Sequence, residues 1–194
     1  MDANEKPWYI RHLANFVTSV GIALIFVLLW VIVSHREQVG KIVALAGVVL
    51  VTDWLDGGIA RYFHIESEFG AALDRLRDKF FQLTMFSFFL LDKRVDVLLK
   101  VSVCPLALIE IGLLGTLFLG MWKKKEVKAG NWGKAKMALM SAGIIALLVV
   151  ILVKESGMKI PYYNFVVYVL MCLFVASFGL AIMSFVRHLE AVRD

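Results

Sequence analysis

Six stretches of the chain are apolar, at about residues 14–34, 41–63, 71–91, 97–122, 137–153 and 163–186, and a lipid-crossing helix needs about 20 such residues. Polar positions gather in the short connections between them. Lys, Arg and Trp stand at the ends of the runs, as at Trp30, Trp122 with Lys123, and Trp132, where such side chains settle at a membrane surface. The pattern predicts an all-α, polytopic bundle of six transmembrane helices. Residues 5–13 predict a short N-terminal interfacial helix, with Trp8, Tyr9 and Ile10 in lipid and Lys6 and Arg11 in water. There is no internal repeat and no Pro/Gly/Ser-rich linker, so residues 1–194 are expected to form a single domain.

Composition narrows this by exclusion. Hydrophobic residues are 60% of the chain and charged residues 19%, against roughly 45–50% and 25% in soluble domains. A water-soluble fold and a disordered chain both fall away. Six spans use about 120 residues and leave no room for a sizeable soluble domain. The net charge of +5 fits topology and anionic membrane lipids rather than nucleic acid, and no nucleic-acid partner is expected. Cys104 and Cys172 have no partner at metal-site spacing and are expected as buried thiols. The start, MDANEKPWYIRH, reads as neither a signal nor a transit peptide.

Lys and Arg are unevenly shared between the two sides. The N-terminus, the connection between the second and third runs, the loop at 123–136 and the C-terminus hold fourteen of the 21, and the opposite side holds seven. This excess places both termini and that connection in the cytoplasm. The expected location is a prokaryotic plasma (inner) membrane.

The second and third runs depart from ordinary lipid-soluble sequence. The second ends VTDWLDGGIARYF and the third begins GAALDRLRDKFF. An ionised Asp inside a span costs about 2.5–3.5 kcal/mol on insertion scales, so four acids in neighbouring helices require compensation. On a helix, Asp53, Asp56, Gly57, Ala60 and Arg61 share an arc of about 140°. Asp74 and Asp78 lie one turn apart on a single face. Two helices joined by a short turn pack antiparallel, so the four carboxylates are expected to converge near the cytoplasmic surface. Their mutual repulsion is relieved by a hard divalent cation, Mg²⁺ or Mn²⁺, which takes oxygen ligands. Gly57, Gly58, Ala60 and Gly70 leave the backbone bare for a bulky ligand, Ser67 offers a hydroxyl, and Arg61 suits a phosphate. Together these suggest a nucleotide-diphosphate site. The alternative is a helical hairpin whose acids pair with Arg61, Arg75, Arg77 and Lys79, its small residues serving close packing only.

Residues 53–78 resemble the signature D-x2-D-G-x2-A-R-x8-G-x3-D-x3-D of the CDP-alcohol phosphotransferase family, with all eight fixed positions present. Chance agreement is on the order of 10⁻¹⁰ at average residue usage. Six spans with cytoplasmic termini match the family architecture. The resemblance implies that Asp53, Asp56 and Asp74, with Asp78 close by, hold two metal ions and that Asp78 is the general base. It implies that Gly57, Arg61 and Ser67 hold the CDP moiety of CDP-diacylglycerol, with Ala60, Gly70 and Thr18 also at the donor. The reaction expected is transfer of the phosphatidyl group to an alcohol with release of CMP, in phospholipid synthesis, by a homodimer.

For the acceptor, NWGKAKMALMS resembles the G-K-x-K-T segment of phosphatidylglycerophosphate synthases at Gly133, Lys134 and Lys136, and Asp78-Lys79 resembles their DK pair. This points to glycerol 3-phosphate, a small phosphorylated alcohol, with Lys79, Lys134, Lys136 and Arg187 as its cationic contacts. Met137 replaces the usual Thr, and Ile109, beside Glu110, stands where those synthases carry Arg. Inositol phosphate, serine and phosphatidylglycerol are the alternative acceptors. A cation transporter is the alternative of another class, but its ionisable residues should continue across the membrane, and residues 42–52 contain none. His12, His35, His64 and His188 lack ligand spacing. The aromatics of the third run, Phe80 to Phe89, are expected to pack against lipid or neighbouring helices.

Overall fold

The computed structural model describes the backbone of residues 8–62, 68–122 and 131–193, and within them the side chains of 16–55, 58, 70–120, 122 and 132–190. The described residues form six helices and no strand: α1 (Trp8–Ser34), α2 (Val39–Tyr62), α3 (Glu68–Leu91), α4 (Val97–Trp122), α5 (Asn131–Glu155) and α6 (Tyr163–Arg193). The protein is the all-helical bundle its hydropathy predicts. Four helices have described stretches long and apolar enough to cross a membrane: Phe16–Ser34, Val97–Gly120, Trp132–Glu155 and Tyr163–Glu190. These mark an integral membrane protein. The other two, α2 and α3, carry the acids.

Hydropathy misplaces helix ends for a definite reason: it measures the length in lipid, whereas backbone hydrogen bonding continues into water. Thus α5 starts six residues before the apolar run and α6 continues to Arg193. The separate interfacial helix expected at 5–13 is corrected likewise. Residues 8–13 are the first turns of α1, because no Gly or Pro interrupts the chain from Trp8 to Val20. Residues 5–7 lie outside the described residues.

Two compact units make up the chain, Met1–Thr84 and Met85–Asp194, with the boundary inside α3. In the first, α1 packs on α2. Ile25, Leu28 and Ile32 recur at helical spacing on α1 and are buried, as are Ile42, Ala46 and Val49 on α2. In the second, α6 packs against both α4 and α5. Gly143 of α5 allows one of these approaches, since a Cβ there would come within 2.8 Å of the Phe174 ring on α6. Met85, Phe86, Phe88 and Phe89 of α3 are fully buried, the protein-facing half of what the aromatic run predicted. Large apolar side chains on the outer faces, such as Leu108, Ile111, Phe165 and Val175, are exposed, as a lipid-facing surface requires. Cys104 and Cys172, expected to be buried, are exposed. Apolar runs face protein on one side and hydrocarbon on the other, and hydropathy alone does not separate the two.

One end of the second unit carries a polar clasp. Asp92, in the α3–α4 turn, is buried and accepts bonds from Arg94 Nε at 2.9 Å, Nη2 at 2.7 Å and the Arg94 backbone N–H at 2.7 Å. Arg94 also pairs with Glu155 at the end of α5. Lys154 donates to the Arg94 carbonyl at 2.7 Å and to Tyr163, which itself bonds Asp96. Burial pushes the Asp92 carboxyl up, but the Arg94 hydrogen bonds and charge outweigh it and hold the group below its ordinary value.

Candidate active site

The acids meet in the first unit. Asp53 on α2 and Asp74 and Asp78 on α3 each offer a carboxylate oxygen, and these oxygens all lie within 4.8 Å of one another. The convergence follows from local structure. Asp74 and Asp78 are one helical turn apart, so their side chains lean the same way, and Asp53 reaches them from α2. All three are partly exposed, so water and a polar ligand have access to them.

Arg77 is the hub of this cluster. Its guanidinium donates to Asp74 Oδ1 at 2.7 Å, a contact between residues three apart on one helix, and pairs with Asp53 Oδ1 from the neighbouring helix. The Arg77 side chain is 1% exposed, against 44% for Asp53 and 49% for Asp74. The cation therefore sits behind the acids, and the acids face outward. Room for it comes from α1: a Cβ at Gly21 would lie 3.0 Å from Arg77 Cδ. Arg75, by contrast, folds back on its own helix, Nε donating to the Ala71 carbonyl at 2.9 Å.

The donor set suits a hard divalent ion. Three carboxylates supply oxygen ligands only, the kind that Mg²⁺ and Mn²⁺ prefer. A carboxylate has about four lone-pair sites, so the bonds from Arg77 exhaust neither Asp53 nor Asp74.

The remaining expected residues fall as follows. Thr18 is buried on α1, one turn before Gly21 and on the same face. Gly70 lies in the first turn of α3, and Lys79 follows Asp78 on that helix, both half-buried. Asp56, Gly57, Ala60 and Arg61 continue the α2 backbone, but their side-chain positions lie outside the described residues, as does Ser67 altogether. Among the expected acceptor contacts of the second unit, Lys134 and Arg187 are exposed. Lys136 is buried and donates to the fully buried Glu110 at 2.7 Å. Arg77 and Gly21 are the residues that sequence reasoning left out of the site. The first had a signal, a cation set between Asp74 and Asp78. The second had none.

The family model for CDP-alcohol phosphatidyltransferases matches residues 11–183. That stretch contains every acid above and every expected site residue except Arg187. No curated protein and no solved structure matches the chain.

Proposed function

The chain belongs to the CDP-alcohol phosphatidyltransferase family, whose members carry out phosphatidyl transfer in phospholipid synthesis, and for this member we propose CDP-diacylglycerol as donor and glycerol 3-phosphate as acceptor. The observation that supports this most is the convergence of the Asp53, Asp74 and Asp78 oxygens within 4.8 Å on the signature positions.

Asp53, Asp74 and Asp78, with Asp56 by resemblance, would hold the divalent metal, Mg²⁺ or Mn²⁺ and two ions on the family pattern. The metal would supply positive charge to the donor diphosphate and to the departing CMP. Asp78 accepts the proton of the acceptor hydroxyl as that oxygen bonds the lipid-bearing phosphorus. The bond from phosphorus to the CMP oxygen breaks, and CMP leaves. Gly57, Ala60 and Gly70 leave space beside the nucleotide, and Arg61, Ser67 and Thr18 hold it. Lys79, Lys134 and Arg187 are the proposed cations for an acceptor phosphate. Positioning and electrostatics account for most of the rate in such a site. The enzyme works as a homodimer in a prokaryotic plasma membrane, with termini and site cytoplasmic.

One observation favours a second acceptor class. Lys136, expected to meet the acceptor phosphate, is already bonded to Glu110, which suits an acceptor without phosphate, such as serine. The test supplies purified protein with CDP-diacylglycerol, Mg²⁺ and a panel of alcohols, and measures CMP and the lipid product. Release of CMP with one preferred acceptor, abolished by chelator, is expected. Turnover that survives complete metal removal would overturn the metal assignment, and no CMP with any alcohol would overturn the donor.

A further inference from the structure

We propose that Arg77 is a built-in counter-cation: it keeps the acids together in the metal-free protein and competes with a divalent ion for Asp53, so that it weakens and thereby sets metal affinity. This rests on the reading of Asp53, Asp74 and Asp78 as metal ligands.

Three observations converge on it. First, three carboxylates with oxygens within 4.8 Å repel one another, and Arg77 supplies a positive charge bonded to two of them. Its one positive charge offsets only part of the three negative charges it faces, so these groups still attract a divalent ion. Second, Arg77 is buried while its acids are half-exposed. A long cationic side chain ordinarily carries its head to water; this one is turned inward and passes α1 where Gly21 leaves no side chain in its way. Third, its two bonds differ in kind. Asp74 is on the same helix, three residues away, so that bond forms within α3. Asp53 is on α2, so that bond joins two helices and is the one an incoming cation exchanges. A cation bonded to ligand oxygens both draws on their lone pairs and repels a second cation.

The opposite role is also physically sound: a buried donor that orients ligands tightens metal binding, and its loss weakens it, typically 10–100-fold. The two roles predict opposite signs. The test titrates Mn²⁺ alone into the full-length protein, reading free Mn²⁺ by its spin resonance, and records thermal unfolding in chelator and in saturating Mn²⁺. Arg77→Met removes the charge and keeps the stem. It is expected to bind Mn²⁺ about tenfold tighter or more, the scale of losing a charge-assisted bond. It should unfold at lower temperature than wild type in chelator and regain most of the difference with Mn²⁺. Arg77→Lys keeps the charge on a shorter, differently shaped head and should bind with intermediate affinity. If the methionine variant does not fold, the lysine variant decides. Variants that bind Mn²⁺ no more tightly than wild type overturn the inference. A wild type that takes up no Mn²⁺ sinks the metal reading itself, and the inference with it.

Discussion

Arg77 and Arg94 do opposite things with the same chemistry. Arg77 is buried behind two acids that are about half exposed. Arg94 is 24% exposed and covers an acid that is 1% exposed. In the first cluster the carboxylates still meet solvent and so can take a ligand. In the second, Asp92 is fully engaged by Arg94 side chain and backbone, and the network ties the α3–α4 turn to α5. The lesson is that an ion pair does not by itself mark a candidate site. What distinguishes the two is which partner faces water.

The comparison breaks most sharply under substitution. Asp78→Asn should insert and fold, yet lose about 10²–10⁴-fold in turnover, the usual worth of a positioned general base; CMP release in detergent measures it. Full turnover in that variant would remove Asp78 from the chemistry and leave its cluster as structural as the other one. Asp92→Ala should do the reverse. It leaves Arg94 with Glu155 alone, without its buried partner, and should cost about 2–3 kcal/mol of stability, in the range of charged hydrogen bonds whose cation reaches water. Thermal unfolding shows it, while the acceptor preference of the folded protein stays as in wild type.

A smaller effect lies in pH. The Asp92 carboxyl is held below its ordinary value in the folded protein, so the unfolded chain takes up that proton first as pH falls. Its contribution is fully present above the ordinary Asp value of about 4 and is lost as pH drops through the lower folded value. The stability gap between wild type and Asp92→Asn should therefore be constant near neutrality and close below about pH 4. A gap that stayed open in acid would mean that the clasp does not depend on this charge.

Much of this was legible beforehand, for identifiable reasons. Long apolar runs declare helices because lipid leaves the backbone no other partner. The eight signature positions named the acids, and Asp53, Asp74 and Asp78 do converge. Three things escaped. Helix ends run past the hydropathy limits at Asn131 and Arg193, since helices persist into water. The pairing of Lys136 with Glu110 joins residues on separate helices, and no local pattern encodes it. The sequence offered Arg77 as one of four cations for the acids, but which of the four reaches Asp53 depends on a side chain's path across α1, which only the packed structure supplies. The pairing of acids with neighbouring cations, the alternative to the catalytic reading, is present for Arg77 and leaves the acids about half exposed, so it does not exclude that reading.

The clearance at Gly21 also constrains substitution through ancestry. The backbone there is bare where the Arg77 stem passes, so position 21 is not at liberty to gain a side chain while Arg77 stays. Among relatives, those with a short residue at the place of Arg77 should admit bulkier residues at the place of Gly21, and those with a long cation should retain glycine. A pair so far apart in the chain, changing in step, would record this contact in descent.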